Sequence, residues 1–346
     1  MRNERMRILP TSKPLVFVTM GDPAGIGPEV IMKSMASSEI RELAVFVVVG
    51  DARVMEGAAS SACRKDLVFN RFTAAKDIRL KEKHINIVDP GFPKDKDIPG
   101  VPTERGSIKA LKCLEIAVRM IRKAPRGAGK AMVTAPVSKE GIARVSPGFR
   151  GHTEYLQTAY SSKLVTMVMV GENLCVVPVT RHVPLKDVPA GLSADLIVQT
   201  LIQVSKNRLL ISGKKNPRIT VCGLNPHCGE GGKIGNEEID MIAPAVKKAK
   251  GFYDGINGPL SADTVFYKAM KKEVDIVIAM YHDQGLAPFK MAEFDVGVNL
   301  TLGLGDVRTS PDHGTAFDIA GKGIAGAVSM ERAIKLAVKA ARLKWT

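Results

Sequence analysis

Aromatic side chains are scarce in this chain of 346 residues: Phe, Tyr and Trp make up 5% of it, and Trp occurs once. Single-stranded nucleic acids are usually held on aromatic platforms set among basic side chains. Here the basic excess, a net charge of +15, is scattered over amphipathic helical patterns such as Lys247–Lys250 and Lys335–Lys344, with no aromatics between. A generally basic surface, or one that draws in an anionic substrate, fits that scatter better than a nucleic-acid partner. Long apolar runs are also missing. Leu43–Val49, seven residues, is among the longest, whereas a membrane-crossing helix needs roughly 18. The basic start Met1–Arg7 leads into no signal-peptide core. The first dozen residues read as a loose extension, with Met6 an alternative start. Cysteines number five (Cys63, Cys113, Cys175, Cys222 and Cys228), odd and irregularly spaced. That favours buried free thiols in a reducing cytoplasm over a disulfide framework. Cys228, beside His227, is alternatively a soft metal ligand.

Standard nucleotide-loop signatures are absent as well. Gly21-Asp-Pro-Ala-Gly-Ile-Gly-Pro-Glu29 follows a strand-like run, Leu15–Met20, and Pro28 suits the first turn of a helix running through Ser37. The turn is neither G-x-G-x-x-G nor a Walker A loop, because no Lys-Ser/Thr follows. It is open to two readings, a phosphate cradle at a helix start or a tight structural turn. Further strands are expected at 43–49, 85–88, 130–134, 165–170, 174–179, 218–223, 274–280 and 297–302, with 67–100 otherwise irregular. Helices are expected over 103–123, 152–160, 193–210, 236–250, 262–270 and 329–343. In the first of these Ile108, Leu111, Leu114, Ala117, Val118 and Ile121 share a face. The turn Gly171-Glu-Asn173 reads as a hairpin, so the sheet is not wholly parallel. Strands alternating with helices, without repeats or low-complexity tracts, make an α/β protein.

Within that frame the stretch Asp275–Gly285 stands out. Ile276–Met280 is apolar throughout, as in a strand buried on both faces, and it ends on Tyr281-His-Asp-Gln-Gly285. Ligands in open α/β sheets bind beyond the carboxyl ends of parallel strands. Val176–His182 and Ile219–His227 repeat the arrangement, so half of the six histidines follow a strand end. His182, His227 and His282 therefore form a candidate first shell for a divalent ion with an open position. The bland alternative is three separate hydrogen-bonded histidines.

Five segments in order carry a resemblance: Gly21–Glu29, Gly151-His-Thr-Glu154, Gly223-Leu-Asn-Pro-His-Cys-Gly-Glu230, Tyr281–Gly285 and Arg308-Thr-Ser-Pro-Asp-His-Gly-Thr-Ala316. Together they closely resemble the 4-hydroxythreonine-4-phosphate dehydrogenase family of pyridoxal phosphate biosynthesis, over about residues 14–340. The sister dehydrogenases for 4-phospho-D-threonate and 4-phospho-D-erythronate resemble the chain almost as well. The resemblance implies an isocitrate/isopropylmalate-dehydrogenase-like fold with mixed sheets and helices on both faces. Residues 1–145 with 303–346 would form one lobe and 146–302 the other, with the active-site cleft between them and a homodimer as the working unit. It implies a metal held by His182, His227 and His282, and substrate contacts from His152, Thr153, Lys290, Asn299 and Arg308. Lys and Arg suit the phosphate and carboxylate of such a substrate. Asp263 also matches a position near the site, though it could equally cap a helix. Cys228 departs from the family, where a small residue such as Ala is expected.

The run Asp312–Gly323 is similar to the adenosine-binding loop of isopropylmalate dehydrogenases, which implies cofactor contacts from His313, Gly314, Asp318, Ile319 and Gly321. A carboxylate at Asp318 accepts hydrogen bonds from ribose hydroxyls and repels a 2′-phosphate, which argues for NAD over NADP. The implied reaction is NAD- and metal-dependent oxidation of the C3 hydroxyl of 4-phosphohydroxy-L-threonine. Zn, Mg, Mn or Co would serve as the ion, and Asp263 or Lys290 as the base. The product is a β-keto acid that decarboxylates to 3-amino-2-oxopropyl phosphate. A cytoplasmic enzyme with no membrane or nucleic-acid partner is expected. The rivals are a metal-dependent phosphatase or lyase without a redox cofactor, and a nucleic-acid-binding protein whose binding would be strongly salt-dependent.

Overall fold

The computed structural model of the protein describes residues 13–61, 67–73, 80–81, 84–94, 97–125 and 129–345. Cys63 and the N-terminal extension with Met6 lie outside them. The strands are β1 (Leu15–Thr19), β2 (Val45–Val49), β3 (Phe69–Phe72), β4 (Ile85–Val88), β5 (Lys130–Thr134) and β6 (Thr166–Val170). They continue as β7 (Cys175–Pro178), β8 (Ile219–Cys222), β9 (Ile256–Leu260), β10 (Ile276–Ala279), β11 (Val298–Leu302) and β12 (Val307–Pro311). The chain divides into two compact units, one holding the chain up to Lys163 and again from Leu304, the other Leu164–Gly303. Among the described residues no single helix is long and apolar enough to cross a membrane.

In the first unit the strand order is β3-β4-β2-β1-β5-β12, every neighbouring pair parallel. β1 and β2 are buried at every position, as required of parallel strands covered on both faces. The helices Glu104–Lys123 and Val328–Trp345 pack against these strands. Phe17, Leu15, Ile31, Met35 and Leu114 are sealed in this core, each contributing about 1.5–3 kcal/mol by leaving water. The helix Glu104–Lys123 starts where Thr103 Oγ1 accepts the Gly106 N–H at 3.0 Å. Its buried face runs through Ala110, Cys113, Leu114, Ala117 and Ile121, while Ile108 is exposed. The face is turned from the expected one because Lys109 occupies the interior beside Ile108 and brings its own partners, Asp51 and Asp97.

The second unit has the order β11-β6-β7-β10-β8-β9. β11–β6 and β6–β7 are antiparallel and the remaining three pairs parallel, so this sheet is mixed, as the hairpin at 171–173 requires. The hairpin is pinned by Glu293, whose buried carboxylate accepts the N–H groups of Glu172, Asn173 and Leu174 at 2.8, 2.6 and 3.1 Å.

Several elements differ from the expected pattern. β3, β9 and β12 lack an apolar run: β3 and β9 are edge strands, and β12 carries Arg308 and Thr309 into the interior, where both find hydrogen bonds. The helix His282–Glu293 is disguised by Gly285 and Pro288. Gly285 is there for contact, since a Cβ would stand 2.6 Å from Val176 Cγ1. The segment 193–210 is two helices broken at Asn207. The segment 236–250 opens with a π-type turn, Glu238–Ile242, because Pro244 has no N–H to offer the carbonyl four residues back.

Candidate functional site

Three neighbouring parallel strands, in the order β7-β10-β8, carry the histidines that stand out in the sequence. His182 follows β7, His282 opens the helix after β10, and His227 lies in the loop after β8. The imidazoles of His182 and His282 face one another, their centroids 5.6 Å apart and their planes at 44°. His282 Nδ1 pairs with Asp283 Oδ1 at 2.6 Å. When the ring is neutral with its proton on Nδ1, that pairing leaves the Nε2 lone pair open to a ligand. Among the described residues no three His, Cys, Asp or Glu side chains stand together to hold a metal ion. The structure thus brings two of the three imidazoles together and holds the third on the adjoining strand end.

The His227 loop has an unusual backbone. Residues 227–231 are all left-handed, with φ of 51°, 54°, 76°, 44° and 67°. His227, Cys228 and Glu230 are not glycines, so each bears roughly 1–2 kcal/mol of steric cost. Glu238 holds the loop's entrance. Its buried carboxylate accepts Leu224 N at 2.7 Å, Asn225 N at 2.8 Å and Asn225 Nδ2 at 3.0 Å. Burial, with Glu238 nearby, pushes the Cys228 thiol up, so it stays protonated at neutral pH. Asp263, exposed on the first turn of the helix Ala262–Met270, contributes to the same shift and so lies beside this loop. The N-cap of that helix is Ser261, whose side chain makes no cap bond.

Elsewhere in the second unit, Lys290 sits on the helix that His282 begins, its Nζ 5.2 Å from the Phe294 ring centroid. Asn299 lies on β11 opposite Met169, and its Oδ1 is buried with no hydrogen-bond partner. An orphaned acceptor of this kind normally awaits water or a ligand.

In the first unit Arg308, on β12, is buried at 4% exposure beside the end of β5. Its Nε and Nη2 donate to Thr134 Oγ1 at 3.1 and 2.6 Å. Burial lowers its pKa to about 10, with Glu154 acting the other way. It remains a full positive charge at neutral pH. His152 opens the helix His152–Ala159, followed by buried Thr153. Burial, then the charges of Arg308 and Lys139, push the His152 pKa well below its usual 6.5. The ring is therefore neutral, and its Nε2 is buried without a partner. A neutral imidazole and a buried guanidinium suit an anion that still has a proton to share.

Residues 42–337 match the family described as pyridoxal phosphate biosynthetic protein PdxA. The chain belongs to that family. It is 41% identical over 339 residues to a 4-hydroxythreonine-4-phosphate dehydrogenase of Geobacter metallireducens, covering 97% of this chain and 98% of that protein. It is 39% identical over 328 residues to a D-threonate 4-phosphate dehydrogenase of Cupriavidus necator, covering 93% and 96%. A crystal structure of 4-hydroxythreonine-4-phosphate dehydrogenase from Klebsiella pneumoniae superposes with a TM-score of 0.80 at 35% identity, covering 95% of this chain and 100% of that one. This PdxA family member is accordingly an oxidoreductase with the α/β fold of those dehydrogenases.

Its first unit also contains a cavity of about 460 Å³, lined among others by Pro23, Gly25, Glu29, Arg53, Pro99 and Gly321. The loop 313–325 is fastened beside the glycine-rich turn. Ile26 N donates to Thr315 O at 2.9 Å, Glu29 Oε1 accepts Ala325 N at 3.1 Å, and Lys33 Nζ donates to the carbonyls of Gly323 and Ala325 at 2.8 and 2.7 Å. Of the five expected cofactor residues only Gly321 lines the cavity, with a φ of 76° and no room for a Cβ against Pro99. His313 and Ile319 are half-buried, and Gly314 and Asp318 are exposed. Arg53 and Pro99 line the cavity without any signal in the sequence, because their roles come from the fold bringing 23–29, 51–61, Lys94, Asp97, Pro99 and Gly321 together.

Proposed function

We propose that this family member is a cytoplasmic homodimer that oxidises the C3 hydroxyl of 4-phosphohydroxy-L-threonine with NAD and a divalent ion. The observation that carries the substrate class is Arg308, a buried cation beside a neutral His152, which suits a phosphate or carboxylate. Thr153 supports the same end. Asn299, with its orphaned Oδ1, accepts a hydrogen bond from a substrate hydroxyl or amine, and Lys290 supplies a second positive charge.

Three imidazoles are the donor chemistry of a divalent ion: His182 and His282 face each other, and His227 follows the adjoining strand. When bound, such an ion (Zn, Mg, Mn or Co) supplies Lewis-acid chemistry that lowers the pKa of a hydroxyl. Asp263 or Lys290 takes the hydroxyl proton. The cavity beside the loop 313–321 fits part of a dinucleotide, which supplies a hydride acceptor, and exposed Asp318 accepts from ribose hydroxyls. His313, Gly314, Ile319 and Gly321 complete that loop. Treatment with a chelator should abolish activity and divalent ions should restore it, and His182→Ala or His282→Ala should remove the rise in Tm on adding metal. Full activity after chelation would end the metal assignment.

A second reading, oxidation of 4-phospho-D-threonate or 4-phospho-D-erythronate, is favoured by the D-threonate 4-phosphate dehydrogenase relative at comparable identity. Reduction of NAD and NADP should be followed with all three phosphorylated acids and their unphosphorylated forms. The highest kcat/KM is expected for 4-phosphohydroxy-L-threonine with NAD. A higher value for either sugar acid phosphate would transfer the assignment to the second reading. Equal turnover with and without phosphate would remove the roles given to Arg308 and Lys290.

A further inference from the structure

We infer that Lys139 is a specificity-determining residue that gives the Arg308 site its net positive charge and contacts the anionic group of the substrate. The inference deepens the anion reading of Arg308 given above and rests on it. Lys139 follows five residues after Thr134, whose hydroxyl accepts the Arg308 guanidinium. Ser138 fixes it there. Its Oγ accepts Gly141 N at 3.0 Å and starts the helix Lys139–Val145, with Lys139 as the first residue. From that start the side chain reaches across to Gly151, the residue before His152. A Cβ on Gly151 would stand 3.3 Å from Lys139 Cε, 3.8 Å from its Nζ and 3.1 Å from Glu154 Oε2. The ammonium therefore sits at the turn that delivers His152 and Thr153. Burial and Arg308 lower the His152 pKa, and the charge of Lys139 adds to them.

A count of charges shows why the site needs it. Arg308 brings one positive charge. Glu154, whose carboxylate acts on Arg308 and borders the same turn, brings one negative. His152 is neutral. These three sum to zero, and a site without net charge has little hold on an anion. Lys139 supplies the surplus. It is exposed, and among the described residues no ion pair claims its ammonium, while its neighbour Glu140 pairs with Arg144 instead. An unpaired ammonium, a buried guanidinium and an imidazole Nε2 without a partner thus meet around the start of the helix His152–Ala159.

The probes are inorganic phosphate and acetate, each titrated at constant ionic strength into the full-length protein and read by Tm. Phosphate stands for the phosphate of the substrate and acetate for its carboxylate, so the anion that raises Tm names the group. Lys139→Met keeps most of the stem and loses the charge. Its midpoint for that anion should move to roughly tenfold higher concentration, the low end for a charge-assisted bond, because an exposed ammonium is screened. On the phosphorylated acid that the enzyme turns over, kcat/KM should fall by a similar factor. Lys139→Arg keeps the charge and should lose less. Lys247→Met, at an exposed lysine of the second unit, takes the same single charge from the total of +15. It should match the parent in both measurements; an equal loss there would assign the effect to the general basic surface and overturn the inference. A Lys139→Met protein that titrates like the parent, while Arg308→Met loses the response, would sink this inference and leave the role of Arg308 standing. If Arg308→Met keeps the full response, or the parent answers neither anion, the anion reading of Arg308 falls and this inference falls with it.

Discussion

Replacing Lys109 by Met should lower the stability of the protein by about 3–5 kcal/mol at neutral pH, the usual cost of leaving a buried charge without its partner. Lys109 Nζ lies 3.0 Å from Asp51 Oδ2 and 2.6 Å from Asp97 Oδ2, and the three side chains are 3%, 1% and 5% exposed. Burial alone would raise the Asp51 carboxyl, but hydrogen bonds from Arg53 and Lys109 outweigh it and hold the pKa below its usual 3.8. Burial likewise works against the Lys109 charge, and Asp97 and Asp51 more than offset it, raising its pKa above 10.5. Asp51 therefore stabilises the fold fully above its unfolded pKa, and that contribution is lost as pH falls through the lower folded value. Lys109 stabilises fully below its unfolded pKa and loses that contribution as pH rises through the higher folded value. Between these limits the native network is intact, so the deficit of the variant should be largest there. As pH falls through the folded Asp51 value it should shrink, because a protonated Asp51 no longer needs a cation. Urea unfolding at a series of pH values measures this. A deficit under about 1 kcal/mol at pH 7, the range of an exposed pair, would show that the network is solvated.

Nothing in the sequence marks Lys109 as buried; at its position in an amphipathic helix a lysine reads as surface charge. Its partners are 58 and 12 residues away, so only the fold reveals the cluster. The legible parts were those with local chemistry. Continuous apolar runs gave away β1, β2 and β10, Thr103 and Ser193 marked helix starts, and Gly171–Asn173 marked the hairpin. The strand-end position of His182 and His282 was legible for the same reason, since a period-free apolar run followed by a polar cluster has few other meanings. β12 was not, because Arg308 and Thr309 look like loop residues until their hydrogen bonds to Thr134 and Ala333 are seen. Gln284 and Glu238 were equally hidden: each acts on backbone groups that no side-chain pattern encodes. The cavity of the first unit is hidden further still, being assembled from four separate stretches of chain.

Arg308→Met should show the opposite profile, a large loss of activity with no loss of stability. In the parent the guanidinium is dry, and its pKa has fallen to about 10 because burial disfavours the charge. A cation kept under those conditions is costly to the fold, which is the usual sign of a group retained for a ligand. Met fills similar volume without the desolvation, and the Thr134 hydroxyl among the groups it leaves behind is neutral. Tm should therefore stay level or rise. Two charge-assisted bonds to a phosphate or carboxylate are worth roughly 1.5–3 kcal/mol each. At about 1.4 kcal/mol per tenfold, their loss should lower kcat/KM roughly 10²–10⁴-fold. Arg308→Lys should fall between, because an ammonium restores charge without the two-pronged geometry. The same variants assayed on the unphosphorylated acids locate the contact. If Arg308 holds the phosphate, parent and Met variant should differ little on those substrates; if it holds the carboxylate, the gap should persist. A Met variant that keeps full activity but melts several degrees lower would assign Arg308 to the architecture of β5 and β12 instead.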